Sequence, residues 1–288
     1  MTRGIPLPKN GNQYGTEELR EILVRLLAPD GCPWDRVQTH ESLRKNMIEE
    51  AYEAVDAIDS GRPERMADEF GDVLLQVFFH AALAERDHEF TLNDITDNLC
   101  RKLISRHSHV FGEDTAASPD DVLSVWEKNK NKEKGHTKAA QTLADVPEGL
   151  PALMRADKLQ KRAAKVGFDW PDASGALDKI FEELREVSEA MTEAELPTEA
   201  KIHPETNPEA YSKVEEEVGD LLFATVNYAR LIGIDPELAL TTANRKFVRR
   251  FAAVEQMADE SGRELTQMSL ADMDVLWDKV KEKERENR

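Results

Sequence analysis

Several classes of protein are excluded by what this sequence has little of. It contains two cysteines, Cys32 and Cys100, which are too few and too far apart for a disulfide framework or a Cys-x-x-Cys metal site. No run of about 18 apolar residues is present that would span a membrane, and residues 1–15 lack the apolar core of a signal peptide. We therefore expect a protein of the reducing cytoplasm that has no membrane partner.

The chain has no excess of positive charge, since its 57 Asp and Glu residues outnumber its 38 Lys and Arg residues. The formal net charge is −19, whereas a nucleic-acid polymer is bound through clustered Lys and Arg side chains. This balance argues against a nucleic-acid polymer as partner, but it allows a small phosphate ligand if cations bridge that ligand to acidic residues. Aromatic residues make up 6% and charged residues 33% of the chain, and long stretches rich in Ala, Leu, Glu, Lys and Arg favour helices.

Apolar residues recur at helical spacing along most of the chain, and no segment has the pattern of a β-strand. In the helix that begins near Glu64, for example, Phe70 and Leu74 are expected to face a core. We predict an all-α fold that contains a tandem pair of related helical bundles. The expected parts are a flexible arm at 1–15, a helical domain at 16–130, a linker at 131–145 and a second helical domain at 146–288.

An internal repeat of acidic residues is the strongest feature of the sequence. The stretch Glu69-Phe70-Gly71-Asp72 corresponds to Glu217-Val218-Gly219-Asp220, and an apolar run follows each stretch. A Glu-x-x-Glu motif precedes each of them, and residues three apart share one face of a helix. The eight carboxylates are Glu50, Glu53, Glu69 and Asp72 in the first half and Glu183, Glu186, Glu217 and Asp220 in the second.

Four carboxylates without His or Cys predict a hard-oxygen site in each half, which suits Mg²⁺, or alternatively Mn²⁺, rather than zinc. A single Glu-x-x-Glu motif in an acidic helical protein usually marks a solvated face, but two paired and repeated motifs favour a metal site. A glycine inside a helix costs about 1 kcal/mol relative to Ala. We therefore expect Gly71 and Gly219 to lie where backbones pack closely.

Basic and aromatic residues repeat as well. Lys102 and Arg106 correspond to Lys246 and Arg250, four positions apart on one helix face, and Trp126 corresponds to Trp277. Beside a metal site these cations are candidates to bind phosphate oxygens, although pairing with surface Glu would explain each of them taken alone. Each Trp either stacks on a base or fills the core.

These motifs resemble the MazG family of nucleoside triphosphate pyrophosphohydrolases. The resemblance extends from Gly31-Cys32-Pro33-Trp34-Asp35 to Leu221-Leu222-Phe223-Ala224, and the two repeats are similar to full-length bacterial members. It implies a homodimer that hydrolyses NTPs and dNTPs with broad specificity to monophosphate and pyrophosphate, depends on Mg²⁺, and has its main catalytic domain in the second half. It assigns metal binding to Glu183, Glu186, Glu217 and Asp220, and nucleotide contacts to Lys213, Lys246, Arg250 and Trp277.

Two other functions remain open at this stage. One is a pyrophosphohydrolase restricted to a single dNTP or a damaged nucleotide, and the other is a regulatory protein that binds nucleotides without turnover. Two features distinguish the second half: its loop at 192–210 is longer, and Asn227 occupies the position of Phe79. We expect Asn227, a polar amide on a largely apolar helix, to contact a base or sugar edge. A hydrogen bond to a neighbouring backbone group is the alternative.

Overall fold

The computed structural model describes residues 8, 11, 13–135, 138–193 and 202–286. Within these ranges the chain forms twelve α-helices and two short 3₁₀ helices, and it contains no β-strand. It divides into two compact units, Met1–Lys132 and Glu133–Arg288. The prediction of an all-α fold with tandem related helical bundles is confirmed. Most of the predicted arm at 1–15 and the centre of the loop at 192–210 lie outside the described residues.

The helices of the first unit include two long neighbours, α2 and α3, which pack against each other. Its elements are α1 (Thr16–Leu27), α2 (Arg44–Ser60), α3 (Pro63–Arg86), α4 (Leu92–Arg106), α5 (Ser108–Phe111) and α6 (Pro119–Lys134), the last of which ends just past the unit boundary.

The second unit has a corresponding pair of long helices, α9 and α10, which also pack against each other. Its elements are α7 (Ala139–Ala144), α8 (Ala152–Ala164), α9 (Ala173–Glu193), α10 (Pro208–Leu231), α11 (Pro236–Glu260) and α12 (Leu270–Glu286).

The repeat extends to the way in which the central helices begin. Helices α3 and α10 each have 24 residues and begin with a proline in the first turn, where its missing N–H costs no helical hydrogen bond. Asn207 caps α10 because its side-chain oxygen accepts from the backbone N–H of Ala210 at 3.2 Å. The sequence thus fixes the start of the helix that carries Glu217 and Asp220.

The main hydrophobic cluster of the first unit lies between α1 and the C-terminal half of α3. Its buried members are Leu23, Leu43, Phe78, Phe79, Ala82 and Leu83. The expectation that Phe70 and Leu74 face this core was wrong, since they are 49% and 40% exposed. The cluster draws on the C-terminal half of α3, so Phe70 and Leu74 of its N-terminal half stay largely exposed.

The predicted linker at 131–145 is partly helical, because it contains the last turn of α6 and the whole of α7. With only six residues, α7 is too short to show helical periodicity in the sequence. Arg162 of α8 donates a hydrogen bond to the carbonyl of Thr142 in α7. The boundaries of the two domains stay a prediction. In the described ranges, no helix combines the length and apolarity needed to cross a membrane.

One carboxylate connects three helices of the first unit. Glu85 of α3 accepts hydrogen bonds from Arg20 of α1, at 2.7 Å from Nη2 and 3.3 Å from Nε, and from the backbone N–H of Leu92 at 3.3 Å. The hydrogen bond with Arg20 is the main reason that the pKa of Glu85 lies below its ordinary value. Glu85 therefore stabilises the packing of α1 and α4 on α3 in its charged form.

We expect Glu85→Gln to lower the free energy of unfolding by about 1–2 kcal/mol near neutral pH, since the partly exposed Arg20 reduces the effect of the pair. The pKa of Glu85 is depressed in the folded state, so its contribution to the free energy of unfolding is complete at pH values above the ordinary pKa of 4.5. That contribution is lost as the pH falls through the lower pKa of the folded state. Urea unfolding followed by circular dichroism across this range measures the difference between variant and wild type.

Glu113→Gln is the matched control, because Glu113 is an exposed glutamate of the same unit. Equal effects of the two substitutions at neutral pH would contradict the role of Glu85.

Candidate metal centre

Helices α2 and α3 bring three of the predicted carboxylates of the first unit together. One oxygen from each of Glu50, Glu69 and Asp72 lies within 4.8 Å of the others. Glu69 and Asp72 are three residues apart and share a face of α3, while Glu50 belongs to α2. Glu53, also predicted for this site, is exposed and lies outside the group.

The first cluster carries unfavourable electrostatics. Partial burial raises the pKa of Glu50, and the nearby charges of Asp72, Glu53 and Glu69 raise it further. Arg65, one turn before Glu69, has its Nε 3.7 Å from the Glu69 carboxylate and compensates only part of this charge. A divalent cation would relieve the repulsion that remains.

Helices α9 and α10 build the corresponding cluster in the second unit. Oxygens of Glu183, Glu186 and Glu217 lie within 4.8 Å of one another. Glu183 is only 3% exposed, and no hydrogen-bond partner for its Oε2 atom exists among the described residues. Desolvation is the main reason that the pKa of Glu186 is raised, and its hydrogen bond with Glu183 adds to the effect. Asp220, the fourth predicted ligand, is exposed and outside this group.

The two clusters share two equivalent positions and differ in the third. Glu50 corresponds to Glu183 and Glu69 to Glu217, whereas Asp72 completes the first cluster and Glu186 the second. Each cluster therefore lacks one of its four predicted carboxylates, Glu53 in the first unit and Asp220 in the second. All of these residues lie on the same two pairs of helices, so the difference is one of side-chain placement.

A cation that was not among the predicted site residues lies beside the second cluster. The Nζ atom of Lys179 contacts an oxygen of Glu183 and lies 2.9 Å from Glu182, and the hydrogen bond with Glu183 is the main reason that the pKa of Lys179 is raised. Lys179 precedes Glu182 by three residues and Glu183 by four, a spacing that predicts helical ion pairs. The spacing of these three residues could therefore have revealed the ion pairs from the sequence alone.

The predicted nucleotide contacts of the second unit lie on three helices, and two of the cations have protein partners. Lys213 pairs with Glu193. Arg250 donates hydrogen bonds of 2.7 and 2.9 Å to Glu284, and its guanidinium carbon lies 5.8 Å from the ring centre of Trp277. Lys246 is exposed and has no ion pair within the described part of the chain.

The first unit repeats the pairing of arginine with tryptophan. The guanidinium carbon of Arg106 lies 5.0 Å from the ring centre of Trp126, as Arg250 does near Trp277, while Lys102 is exposed. In both units the Trp face is therefore in contact with a cation, and neither Trp is fully buried.

The structure changes the expectations for the glycines and for Asn227. A Cβ atom added at Gly71 or Gly219 would meet nothing within 4 Å, so the expected close backbone packing at these positions was wrong for the described chain. The Oδ1 atom of Asn227 accepts hydrogen bonds of 3.1 and 2.6 Å from Arg230. Its partner is thus a side chain rather than the backbone group of the alternative explanation.

Comparison with known proteins decides the family. The profile of the MazG nucleotide pyrophosphohydrolase domain matches the chain twice, at residues 38–111 and 174–254. Each match contains one of the two carboxylate clusters. The chain belongs to the MazG family. The resemblance inferred from the sequence motifs is confirmed.

Several known proteins are similar to this chain along most of its length. It is 43% identical over 265 residues to the nucleoside triphosphate pyrophosphohydrolase/pyrophosphatase MazG of Thermotoga maritima, covering 92% of this chain and 95% of the relative. It is 41% identical over 269 residues to the nucleoside triphosphate pyrophosphohydrolase of Escherichia coli K12, covering 93% and 97%. The YabN protein of Bacillus subtilis is 46% identical over 266 residues, which cover 51% of that protein.

The side chains of both MazG domains fit a divalent metal ion. Every donor is a carboxylate oxygen, and such donor sets suit hard cations. In the second domain the buried Glu183 Oε2 atom has no hydrogen-bond partner among the described residues, which is costly unless a cation or donor compensates it. Glu183, Glu186 and Glu217 are the residues positioned to hold the ion.

We expect Glu217→Gln to weaken divalent-cation binding by about 10-fold or more, equivalent to about 1.4 kcal/mol or more, because the substitution removes the charge of one ligand. Titration with Mn²⁺, followed by electron paramagnetic resonance, measures the affinity. Glu216→Gln is the matched control, since Glu216 is adjacent and exposed and should leave binding unchanged. Equal affinities of the two variants would place the ion elsewhere.

Proposed function

We propose that this chain is a cytoplasmic, Mg²⁺-dependent enzyme that hydrolyses NTPs and dNTPs to nucleoside monophosphate and pyrophosphate with broad specificity. The observation that carries the proposal is the presence of an all-carboxylate cluster in each of two MazG domains. The relatives from T. maritima and E. coli, which match over nearly their whole length, are named nucleoside triphosphate pyrophosphohydrolases. Mg²⁺ suits the donor set, and Mn²⁺ is the alternative.

The second unit is proposed as the main catalytic domain. Its cluster contains a nearly buried glutamate with an unpartnered oxygen, whereas Asp72 of the first cluster is exposed. We assign Glu183, Glu186 and Glu217 as metal ligands. The repeat supports Asp220 as the fourth, since its equivalent Asp72 belongs to the first cluster.

The ion and the protein have different roles in the proposed reaction. Bound Mg²⁺ would neutralise phosphate charge and lower the pKa of water. A glutamate of the second cluster accepts the proton of the attacking water. The helices hold these carboxylates in place before substrate arrives, so little reorganisation is needed during the reaction.

Three cations of the second unit are proposed to bind the triphosphate. Lys246 is exposed and without an ion pair in the described ranges, so it can bind the leaving pyrophosphate directly. Lys213 and Arg250 would exchange Glu193 and Glu284 for phosphate oxygens. Trp277 contacts Arg250 and thereby positions it.

Product analysis tests the reaction. After incubation with Mg²⁺ and each common NTP, chromatography should show monophosphate and pyrophosphate, whereas diphosphate and orthophosphate would contradict the proposal. We expect Glu217→Gln to lower turnover by about 100-fold, equivalent to about 2.7 kcal/mol, because it removes a ligand charge and keeps the side-chain shape. Glu69→Gln and Glu216→Gln should retain most of the turnover.

The same assay tests the phosphate contact. Lys246→Ala should raise KM or lower kcat and leave the melting temperature unchanged, since Lys246 makes no ion pair in the described structure. Wild-type kinetics in this variant would remove Lys246 from the site.

We further propose that the chain forms a homodimer through apolar side chains on α9 and α10. Phe181 and Leu184 on α9 are 62% and 50% exposed, and Leu222 on α10 is 53% exposed. In the described part of the second unit no Leu, Ile or Phe side chain is fully buried, and several of them are exposed. Exposed patches of this kind are typical of interfaces, and the open space at Gly219 leaves room for a partner.

Sedimentation velocity measures the assembly directly. The wild-type protein should sediment as a dimer at micromolar concentration, and Phe181→Ser should shift it toward monomer because the interface loses a large apolar side chain. Leu270→Ser is the control, since Leu270 is 72% exposed at the start of α12. A monomeric wild-type protein would contradict the proposed interface.

A further inference from the structure

Two neighbouring arginines of α11 share one carboxylate of α12 in the second unit, where these two helices pack against each other. Arg249 donates hydrogen bonds to Oε1 of Glu284, at 3.2 Å from Nε and 2.9 Å from Nη2. Arg250 donates to Oε2 of the same side chain, at 2.9 Å from Nε and 2.7 Å from Nη2. Because the arginines use different oxygens, one of them can leave the carboxylate without breaking the hydrogen bonds of the other.

The two arginines differ in their surroundings. The side chain of Arg249 is 65% exposed, whereas that of Arg250 is 20% exposed and also contacts Trp277. Arg249 and Glu284 line a pocket of about 470 Å³ between α11 and α12, and Arg250 does not belong to this lining. The pocket therefore leaves the pair of Arg249 and Glu284 room to move away from Arg250.

Glu284 opposes the proposed role of Arg250 as a phosphate ligand. A phosphate that reaches the Arg250 guanidinium meets the negative charge of Glu284 at the same group, and like charges repel each other. This carboxylate is ionised near neutral pH, since its hydrogen bonds, first of all that with Arg250, hold the pKa of Glu284 below its ordinary value. Arg249 provides a second positive charge, so Glu284 keeps a charged hydrogen-bond partner when Arg250 turns to phosphate.

We infer that Arg249 sets the phosphate affinity of Arg250 by holding Glu284, an inference that rests on the proposed function. Without substrate the two arginines share Glu284. When triphosphate is bound, Glu284 pairs with Arg249 alone, and Arg250 donates to phosphate oxygens instead. Arg249 and Glu284 act through Arg250, so they are positioning residues rather than catalytic ones.

The first half of the chain carries only part of this arrangement. An arginine, a tryptophan and a glutamate recur at the same spacing in both halves: the corresponding pairs are Arg106 and Arg250, Trp126 and Trp277, and Glu133 and Glu284. The position of Arg249 is instead occupied by Ser105, which has no charge to offer a carboxylate. The inference therefore concerns the second half, which is proposed as the main catalytic domain.

Single and double variants test the inference through the KM for ATP. Glu284→Gln should lower KM by about 3-fold because the competing charge is removed, a change typical of exposed ion pairs. Arg249→Gln should raise KM by about 3-fold, because Glu284 then pairs with Arg250 alone. In the double variant the effect of Arg249→Gln should disappear, since no carboxylate is left to hold. The kcat should change little in all three variants, as expected when uniform binding is altered.

Two exposed residues of α12 provide matched controls for the change in net charge. Glu282→Gln and Arg285→Gln make the same charge changes close to Glu284, and both should keep the wild-type KM. Melting temperatures show whether each variant is folded.

Calorimetric titration with inorganic pyrophosphate in the presence of Mg²⁺ measures phosphate binding independently of turnover. Glu284→Gln should bind pyrophosphate more tightly than the wild-type protein, and Arg249→Gln should bind it more weakly. The double variant and both charge controls should bind it with an affinity close to that of their parent proteins, Glu284→Gln and wild type respectively.

The outcomes separate this inference from the proposed function. If Glu284→Gln raises KM or leaves it unchanged, and pyrophosphate affinity agrees, Glu284 does not compete for Arg250 and the inference is overturned. Equal effects of Arg249→Gln with and without Glu284 would also overturn it, because Arg249 would then act on phosphate by itself. If the wild-type protein releases no pyrophosphate from any NTP, the proposed function fails, and the pyrophosphate titration still decides the inference.

Discussion

The mutual repulsion of carboxylates held within 4.8 Å of one another is the constraint on which the rest of this structure depends. Desolvation raises the pKa of Glu50 and of Glu186, and the neighbouring carboxylates raise both further. The packing of α2 on α3 and of α9 on α10 must supply the free energy that opposes this repulsion. Lys179 contacts only one oxygen of the Glu183 carboxylate, and the other oxygen, Oε2, has no hydrogen-bond partner among the described residues. Each helix pair is therefore a scaffold that maintains an unfavourable charge arrangement, as is typical of functional sites.

Features that repeat along the chain could be predicted from the sequence. Helix α1 spans Thr16–Leu27, and its apolar residues follow the helical period that the sequence analysis relies on. The meeting of Glu50 with Glu69, and of Glu183 with Glu217, followed from the repeat, since spacing within a helix fixes the face of a residue. The choice between Glu53 and Asp72, or between Glu186 and Asp220, depends on side-chain rotamers that spacing does not determine.

Features that depend on distant contacts could not be predicted. Gln160 lies 63 residues from Phe223 and Asp169 lies 61 from Arg230, and no local pattern signals either pair. Periodicity showed that Phe70 belongs to an apolar face, but it could not show that the described part of the chain leaves Phe70 49% exposed. The contact of Asn227 with Arg230, three residues later, was within reach of helical spacing.

The continuity of α10 limits how this chain can change in length. A residue inserted between Asp220 and Asn227 would turn everything beyond it by about 100° and move it about 1.5 Å along the axis. Arg230 would then turn away from Asp169, and Asp169 would lose its partner. Insertions and deletions in this interval are therefore excluded unless they come in whole turns. The segment between α9 and α10 lies outside the helix and is free of this restriction. It is longer than the corresponding segment between α2 and α3.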